Sequence, residues 1–386
     1  MPAPRVYMVA TEPSGDLLAR EVIEALRHAE PDIVIAGIGG EECVKAGIES
    51  PIDIAPLSIL GLWEGLKAYA TVVKLADAAA DAIIAFEPDV VVLVDSWGFM
   101  LRVAQRVRHR APQIKLVKLV GPQVWATRAG RAKTLAATVD HLICIHAMEA
   151  PYYAPYNLPV TVMGNPALSR AEPGNGTAFR QSSGIAADAE LLLVLPGSRP
   201  SEIRQVAPVL IEAAKLIKKT RPETVIVFVP APPMKALFAE HFSEVEDWGL
   251  IAPDTAQRYD MMAAADFALA CSGTVTSELA VQGTPFLVGY KLGWITWAIA
   301  NYVLYKPAHI TLLNIAADDT EVVLEYIQMD FKADVVAEKT IELLSDRTAL
   351  AAQLAAQNKA LSRMGEGEGK APDIAAEAIL AVISET

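Results

Sequence analysis

Short runs rich in Val, Ile and Leu punctuate the first half of the chain at Val6–Ala10, Ile33–Ile38, Val90–Val94, Ile114–Val120 and His141–Ile145. Segments long enough for helices separate them. In one of these, Leu62, Leu66, Tyr69 and Val73 repeat at the spacing of a single helical face. Near-continuous apolar strands alternating with helices predict a parallel sheet covered on both faces, because a half-exposed strand would alternate apolar and polar residues. The pattern breaks at YYAPYNLPVTVMGNPALSRAEPGNGT, 152–177, where Pro, Gly and Asn accumulate as in a linker. It restarts at Leu191–Leu195, Val225–Val229, Leu250–Ile251, Phe267–Ala270 and Phe286–Val288. From Ala333 onward the composition is helical, with a turn expected at MGEGEGKAP, 364–372.

These elements predict an α/β fold of two Rossmann-like, doubly wound domains facing a cleft. The expected domains are 1–165 and 166–345, followed by C-terminal helices over 346–386 whose return onto the first domain stays open. Open parallel sheets bind ligands at the C-terminal ends of their strands, so the chemistry is sought there.

Composition narrows the classes. Of 386 residues, 53% are hydrophobic and 20% charged, as suits large buried sheets rather than a disordered chain. The net charge of −13 argues against bulk nucleic-acid binding, which needs a basic footprint. Cys43, Cys144 and Cys271 lie far apart without metal-ligand spacing and read as buried thiols. His141 and His146 flank LICI as strand-end residues. The start, MPAPRVYMVATEPSGD, runs straight into a strand, and no apolar run reaches the roughly 20 residues of a spanning helix. The expected location is cytoplasmic.

Each strand end carries polar residues. After the first strand, Ser14, Gly15 and Asp16 open a helix beside Glu12, either as its cap or as a loop approaching a polar ligand. Asp95 ends an all-apolar strand, where a carboxylate is costly unless paired or used. It reads as a helix cap, or as a general base or orienting carboxylate. Arg128, Arg131 and Lys133 beside Trp125 fit a phosphate or a solvated helix face equally, while LRVAQRVRHR, 101–110, reads as a solvated face.

In the second half, LPGSR delivers Gly197, Ser198 and Arg199, whose guanidinium has planar donors suited to phosphate oxygens. Glu202 follows and can satisfy amides at the next helix start. Ser272, Gly273 and Thr274 form a hydroxyl-bearing turn, with Glu278 one helical turn on and able to accept from a ribose diol. Together these turns point to a nucleotide diphosphate, although neither a P-loop nor a GxGxxG is present. Trp294, Trp297, Tyr302 and Tyr305, with Lys291 and Lys306 at the ends, suit either a core helix or one lying on a membrane.

The motifs EPSGD (12–16), LGLWEGL (60–66), Asp95 with Phe99, VWA with Arg128, LPGSR with Glu202, SGT with Glu278, GTP (283–285) and Asn314 occur in that order. Their order and spacing resemble the lipid-A-disaccharide synthase family over nearly the whole chain. The resemblance implies a GT-B glycosyltransferase without metal or redox cofactor. It implies inverting transfer of 2,3-diacylglucosamine from UDP to the 6-hydroxyl of 2,3-diacylglucosamine 1-phosphate, forming a β-1,6 disaccharide. Asp95 is then the candidate base, with Glu12 second. Ser14, Gly15, Asp16, Arg128, Gly197, Ser198, Arg199, Glu202, Ser272, Gly273, Thr274, Glu278 and Asn314 become candidate substrate contacts.

Acyl chains would lie on LSILGLW (57–63) and the Trp294–Tyr305 segment. The protein would work peripherally at the cytoplasmic surface of the inner membrane, and a homodimer is compatible with this. Gly98, Thr127 and Asn165 stand where the family carries a second Asp, a Trp and a His. A relative using another lipid acceptor, or a non-catalytic lipid-binding relative, therefore stays open.

Overall fold

The computed structural model describes residues 3–54, 65–252, 257–291, 308–365 and 369–385, with 65–69 by backbone only. The chain divides into two compact units, Met1–Pro166 with Gly367–Thr386, and Ala167–Glu366.

The first unit holds β1 (Arg5–Val9), β2 (Val34–Ile38), β3 (Val90–Val94), β4 (Lys115–Leu119), β5 (His141–Cys144) and β6 (Val160–Val162) in the order β2-β1-β3-β4-β5-β6. Every neighbouring pair is parallel. Successive side chains of a strand point to opposite faces, and both faces here are apolar. Val6, Met8, Val90, Val92 and Val94 pack with Leu18, Val22 and Ile23 of the helix Pro13–Ala29. Tyr7, Val9, Val91 and Leu93 pack on the other face, with Val103 and Val107 of Trp97–Arg110 and with Ala79 and Ile83 of Gly65–Phe86.

The last helix, Ala371–Ser384, lays Ala375, Ala376, Ile379 and Val382 into the same core as Pro13–Ala29. Its alanines let the two helix backbones approach closely. The preceding helix, Arg347–Arg363, belongs to the second unit.

The second unit holds β7 (Leu191–Leu195), β8 (Val225–Phe228), β9 (Leu250–Ile251), β10 (Phe267–Cys271), β11 (Phe286–Tyr290) and β12 (Glu325–Ile327). They lie in the order β9-β8-β7-β10-β11-β12, again all parallel. This is the order of a dinucleotide-type Rossmann sheet, which reverses direction between β7 and β10.

The strands expected from apolar runs are present with shifts of a residue or two at their ends. Two others escaped the pattern. β6 lies inside the stretch that reads as a linker, and β12 inside one without a strand signal. Both are three-residue edge strands of half-buried residues, too short to show periodicity. Leu62, LSILGLW and the Trp294–Tyr305 segment lie outside the described residues, as do the side chains of Leu66 and Tyr69. No helix among the described residues is long and apolar enough to cross a membrane.

Ile379 is fully buried between the last helix and the first sheet. Ile379→Ala is expected to destabilise the first unit by about 2–5 kcal/mol. In a urea titration followed by circular dichroism, that unit's transition should move while the second unit's stays in place.

Candidate functional site

In the second unit β7 and β10 pair directly, Leu195 opposite Ala270, yet their chains leave toward opposite faces. After β7, Ile203, Val206 and Leu210 enter one core; after β10, Leu279 and Ala280 enter the other. The two exits leave a crevice between them, as expected where strand order reverses. A cavity of about 310 Å³ fills it, lined by Gly197, Ser198, Glu202, Arg258, Ser272, Gly273, Thr274 and Glu278 with Val229–Pro232. Gly273 faces open space, so its backbone is accessible to a ligand. Glu278 reaches the cavity from the helix Val275–Val281 and accepts from Arg258 Nη2 at 3.1 Å and Tyr259 Oη at 3.5 Å. Burial raises its carboxyl above the ordinary range, while Arg258 and Tyr259 act to lower it.

Gly197 has φ +121, and a Cβ there would stand 2.6 Å from the Cβ of Glu202, so glycine is required. The closeness has a purpose. Glu202 Oε2 accepts from the amides of Ser198 at 2.7 Å and Arg199 at 3.2 Å, and Oε1 pairs with Arg199 Nη1 at 3.4 Å. Arg199 itself is 71% exposed and lies outside the cavity lining.

The first unit repeats the arrangement where its order reverses between β1 and β3. The helix after β1 packs on one face and the helix after β3 on the other. A Cβ added to Gly15 would stand 3.4 Å from that of Asp95, so the two loops touch. Glu12 and Ser14 are exposed beside them. Asp95 and Ser96 both take left-handed backbone angles, φ 50 and 36, and the Asp95 amide donates to Leu119 O at 2.9 Å. Arg128, also left-handed at φ 50, is exposed after β4. Arg131 lies over the Trp97 ring, its guanidinium held below its ordinary pKa by burial and by the neighbouring Arg128.

A profile of the family described as lipid-A-disaccharide synthetase matches residues 6–379. The chain belongs to that family. The lipid-A-disaccharide synthase of Rhodospirillum centenum is 34% identical, with 98% of this chain and 95% of that protein covered. The one from Ruegeria pomeroyi is 35% identical, with 97% and 94% covered. Among solved structures, a glycosyltransferase from Rickettsia africae has the same fold at a TM-score of 0.58 and 11% identity, covering 99% of this chain and 98% of that one. A UDP-GlcNAc 2-epimerase from Neisseria meningitidis, solved with UDP-GlcNAc bound, also scores 0.58, at 13% identity with 99% and 100% covered.

Within this synthetase-family chain, three candidate contacts turn out to be held by the protein itself. Asp16 is 5% exposed, and its carboxylate accepts from the amides of Gly40 and Glu42, both at 2.8 Å, and of Cys43 at 3.4 Å. It holds the start of the helix Glu41–Lys45. Asn314 is fully buried. Its Nδ2 donates to Val323 O and Glu325 Oε1, each at 2.8 Å, and its Oδ1 accepts from the amides of Val322 at 2.7 Å and Val323 at 2.8 Å. Four bonds fill its capacity and organise the chain before β12. Glu202 edges the cavity but spends its carboxylate on the Ser198–Arg199 loop. No cluster of three or more metal-ligating side chains occurs among the described residues.

Other groups at these crevices carried no obvious sequence signal. Arg258 opens the helix Arg258–Ala264, seven residues beyond the short strand β9, and it lines the cavity. Lys118, 2% exposed in β4, donates to the carbonyl oxygens of Leu93 at 3.1 Å, Leu119 at 3.2 Å and Asp95. Burial lowers it to about 7, against the charges of Asp95, Glu12 and Glu149.

Glu149, 3% exposed, accepts from the His146 amide at 3.1 Å, and burial raises it to about 7. A carboxyl raised in the folded state binds more protons there than when unfolded, so its stabilisation is lost as pH rises through the folded value. Glu149→Gln, which keeps an acceptor, should therefore gain stability over the wild type between pH 4.5 and 7, reaching about 3 kcal/mol. Melting temperatures across pH 4–8 check this; a difference that does not change with pH contradicts it.

Proposed function

We propose that this protein is an inverting glycosyltransferase that joins an acylated glucosamine from a UDP donor to the 6-hydroxyl of an acylated glucosamine 1-phosphate, the lipid A β-1,6 disaccharide step. Family membership over residues 6–379 is the observation that supports this chemistry most. Fold likeness alone would not, since epimerases share it.

The second unit would hold the donor. Its crevice lies where Rossmann sheets receive nucleotides, and it offers a hydroxyl-bearing turn, an open glycine backbone and Glu278 on one wall. Glu278 would accept from the ribose hydroxyls. Arg258 in the wall and Arg199 at the rim would neutralise the diphosphate as it leaves, using fixed donors rather than reorganising water.

The first unit would activate the acceptor. Asp95 takes the proton of the 6-hydroxyl as its oxygen bonds the anomeric carbon, and the bond from that carbon to UDP breaks on the opposite face. One displacement inverts the configuration, and UDP departs with the electron pair. Glu12, exposed beside Asp95, is the second candidate for the base. Arg128 and Arg131 lie in the same unit and would suit the acceptor's phosphate. The lipid acceptor and work at a membrane surface belong to this proposal.

Removing the base should cost about 10²–10⁴-fold in kcat for Asp95→Asn, with UDP affinity by calorimetry unchanged. Glu278→Ala should weaken UDP binding by roughly tenfold or more, since it removes a hydrogen bond to a charged group. Wild-type turnover by Asp95→Asn would remove the base assignment. Undiminished UDP affinity in Glu278→Ala would move the donor out of this crevice.

A further inference from the structure

Lys118 is a charge in a place built for apolar groups. β4 alternates, and Leu116, two residues earlier on the same side, packs in the core with Val91, Leu93, Phe99, Met100 and Tyr153. An ammonium buried there is costly unless its donors are met. They are met by three carbonyls, those of Leu93, Asp95 and Leu119.

Those carbonyls belong to an unusual stretch of backbone. Asp95 and Ser96 are left-handed, and so is Val120 at φ 66, a conformation that a β-branched residue rarely adopts. Three left-handed non-glycine residues thus stand at the ends of β3 and β4, and the ammonium bonds the carbonyl of one of them, Asp95, and of Leu119 just before another. Such strain persists only where neighbouring groups hold it. Leu119 O serves both sides, accepting from Lys118 Nζ and from the Asp95 amide.

We propose that Lys118 is the positioning residue for Asp95: its ammonium clasps the carbonyls of Leu93, Asp95 and Leu119, fixes the left-handed Asp95–Ser96 turn, and sets a buried positive charge beneath the carboxylate that activates the acceptor. This rests on the reading of Asp95 as the base. Three acceptors match an ammonium, which has three N–H donors, and overfill a neutral amine, which has two. Deprotonating Lys118 therefore frees one carbonyl and removes the charge at once. The groups facing it are Asp95 from the end of β3, Glu12 from the β1 loop and Glu149 from the segment after β5. All three act to favour the protonated lysine.

The test is the pH dependence of turnover in the full-length protein, from pH 5.5 to 9.5, with a thermal melt for each variant. Wild-type kcat should fall above about pH 7 with one proton lost. Lys118→Met should lower kcat at pH 7 by about 10–100-fold, leave the donor KM within about twofold, and show no such alkaline fall. Lys118→Arg, charged throughout, should recover part of the rate and keep it to pH 9.5.

A Lys118→Met protein with wild-type kcat, or with the alkaline fall intact, overturns the proposal. So does a loss that appears only as a raised KM and a lowered melting temperature, since that is a packing defect. If neither variant folds, the wild type still decides. A flat rate to pH 9.5, or a Lys118 side-chain resonance titrating near ten, overturns it. Asp95→Asn separates the two readings: an inactive Asp95→Asn beside an unimpaired Lys118→Met rejects the lysine alone, while an active Asp95→Asn rejects the base and the lysine's role with it.

Discussion

Direct parallel pairing of strands whose helices leave to opposite faces is the constraint on which both sites depend. β7 and β10 share a ladder, as do β1 and β3. A helix following one strand of such a pair cannot cover the end of the other, so a gap remains at the carboxyl end of the sheet. Fully buried strands such as Val90–Val94 and Leu191–Leu195 anchor that gap rigidly. Polar side chains placed just beyond them are held by a scaffold that exchanges few positions.

The polar groups of the motifs divide by whether the protein already uses them. Asp16 and Asn314 accept from backbone amides, and Glu202 from two amides and the Arg199 guanidinium; all three fold the loops that others stand on. Gly197 and Glu202 show how closely the two roles lie: the glycine is needed because the carboxylate presses against it. Glu278, Ser272, Thr274, Glu12 and Asp95 stand at the crevice edges with capacity for a ligand. The buried group that links the two classes is Lys118, inside the core by position and at the site by its partners.

The strand-and-helix alternation was readable because buried parallel strands leave long apolar runs. Asp95, LPGSR and SGT were readable because they break such runs at their ends. β6 and β12 were not, since three half-buried residues make no period. The backbone partners of Asp16 and Asn314 are not legible in sequence, because motif position carries no information about where an amide or carboxylate points. Lys118 was invisible for another reason: it sits inside the apolar run Ile114–Val120, and only the packing around β4 shows that its ammonium is buried beside the end of β3. Arg258 stands seven residues beyond the two-residue strand β9, too far from its end to be marked by it.

The proposed reaction couples UDP release to disaccharide formation, so product stoichiometry decides it. Purified protein would be incubated with UDP-2,3-diacylglucosamine and 2,3-diacylglucosamine 1-phosphate, following UDP release together with the disaccharide and its anomeric configuration. One UDP is expected for each β-1,6 disaccharide formed. UDP bound or released with no disaccharide, or a disaccharide of α configuration, would contradict it.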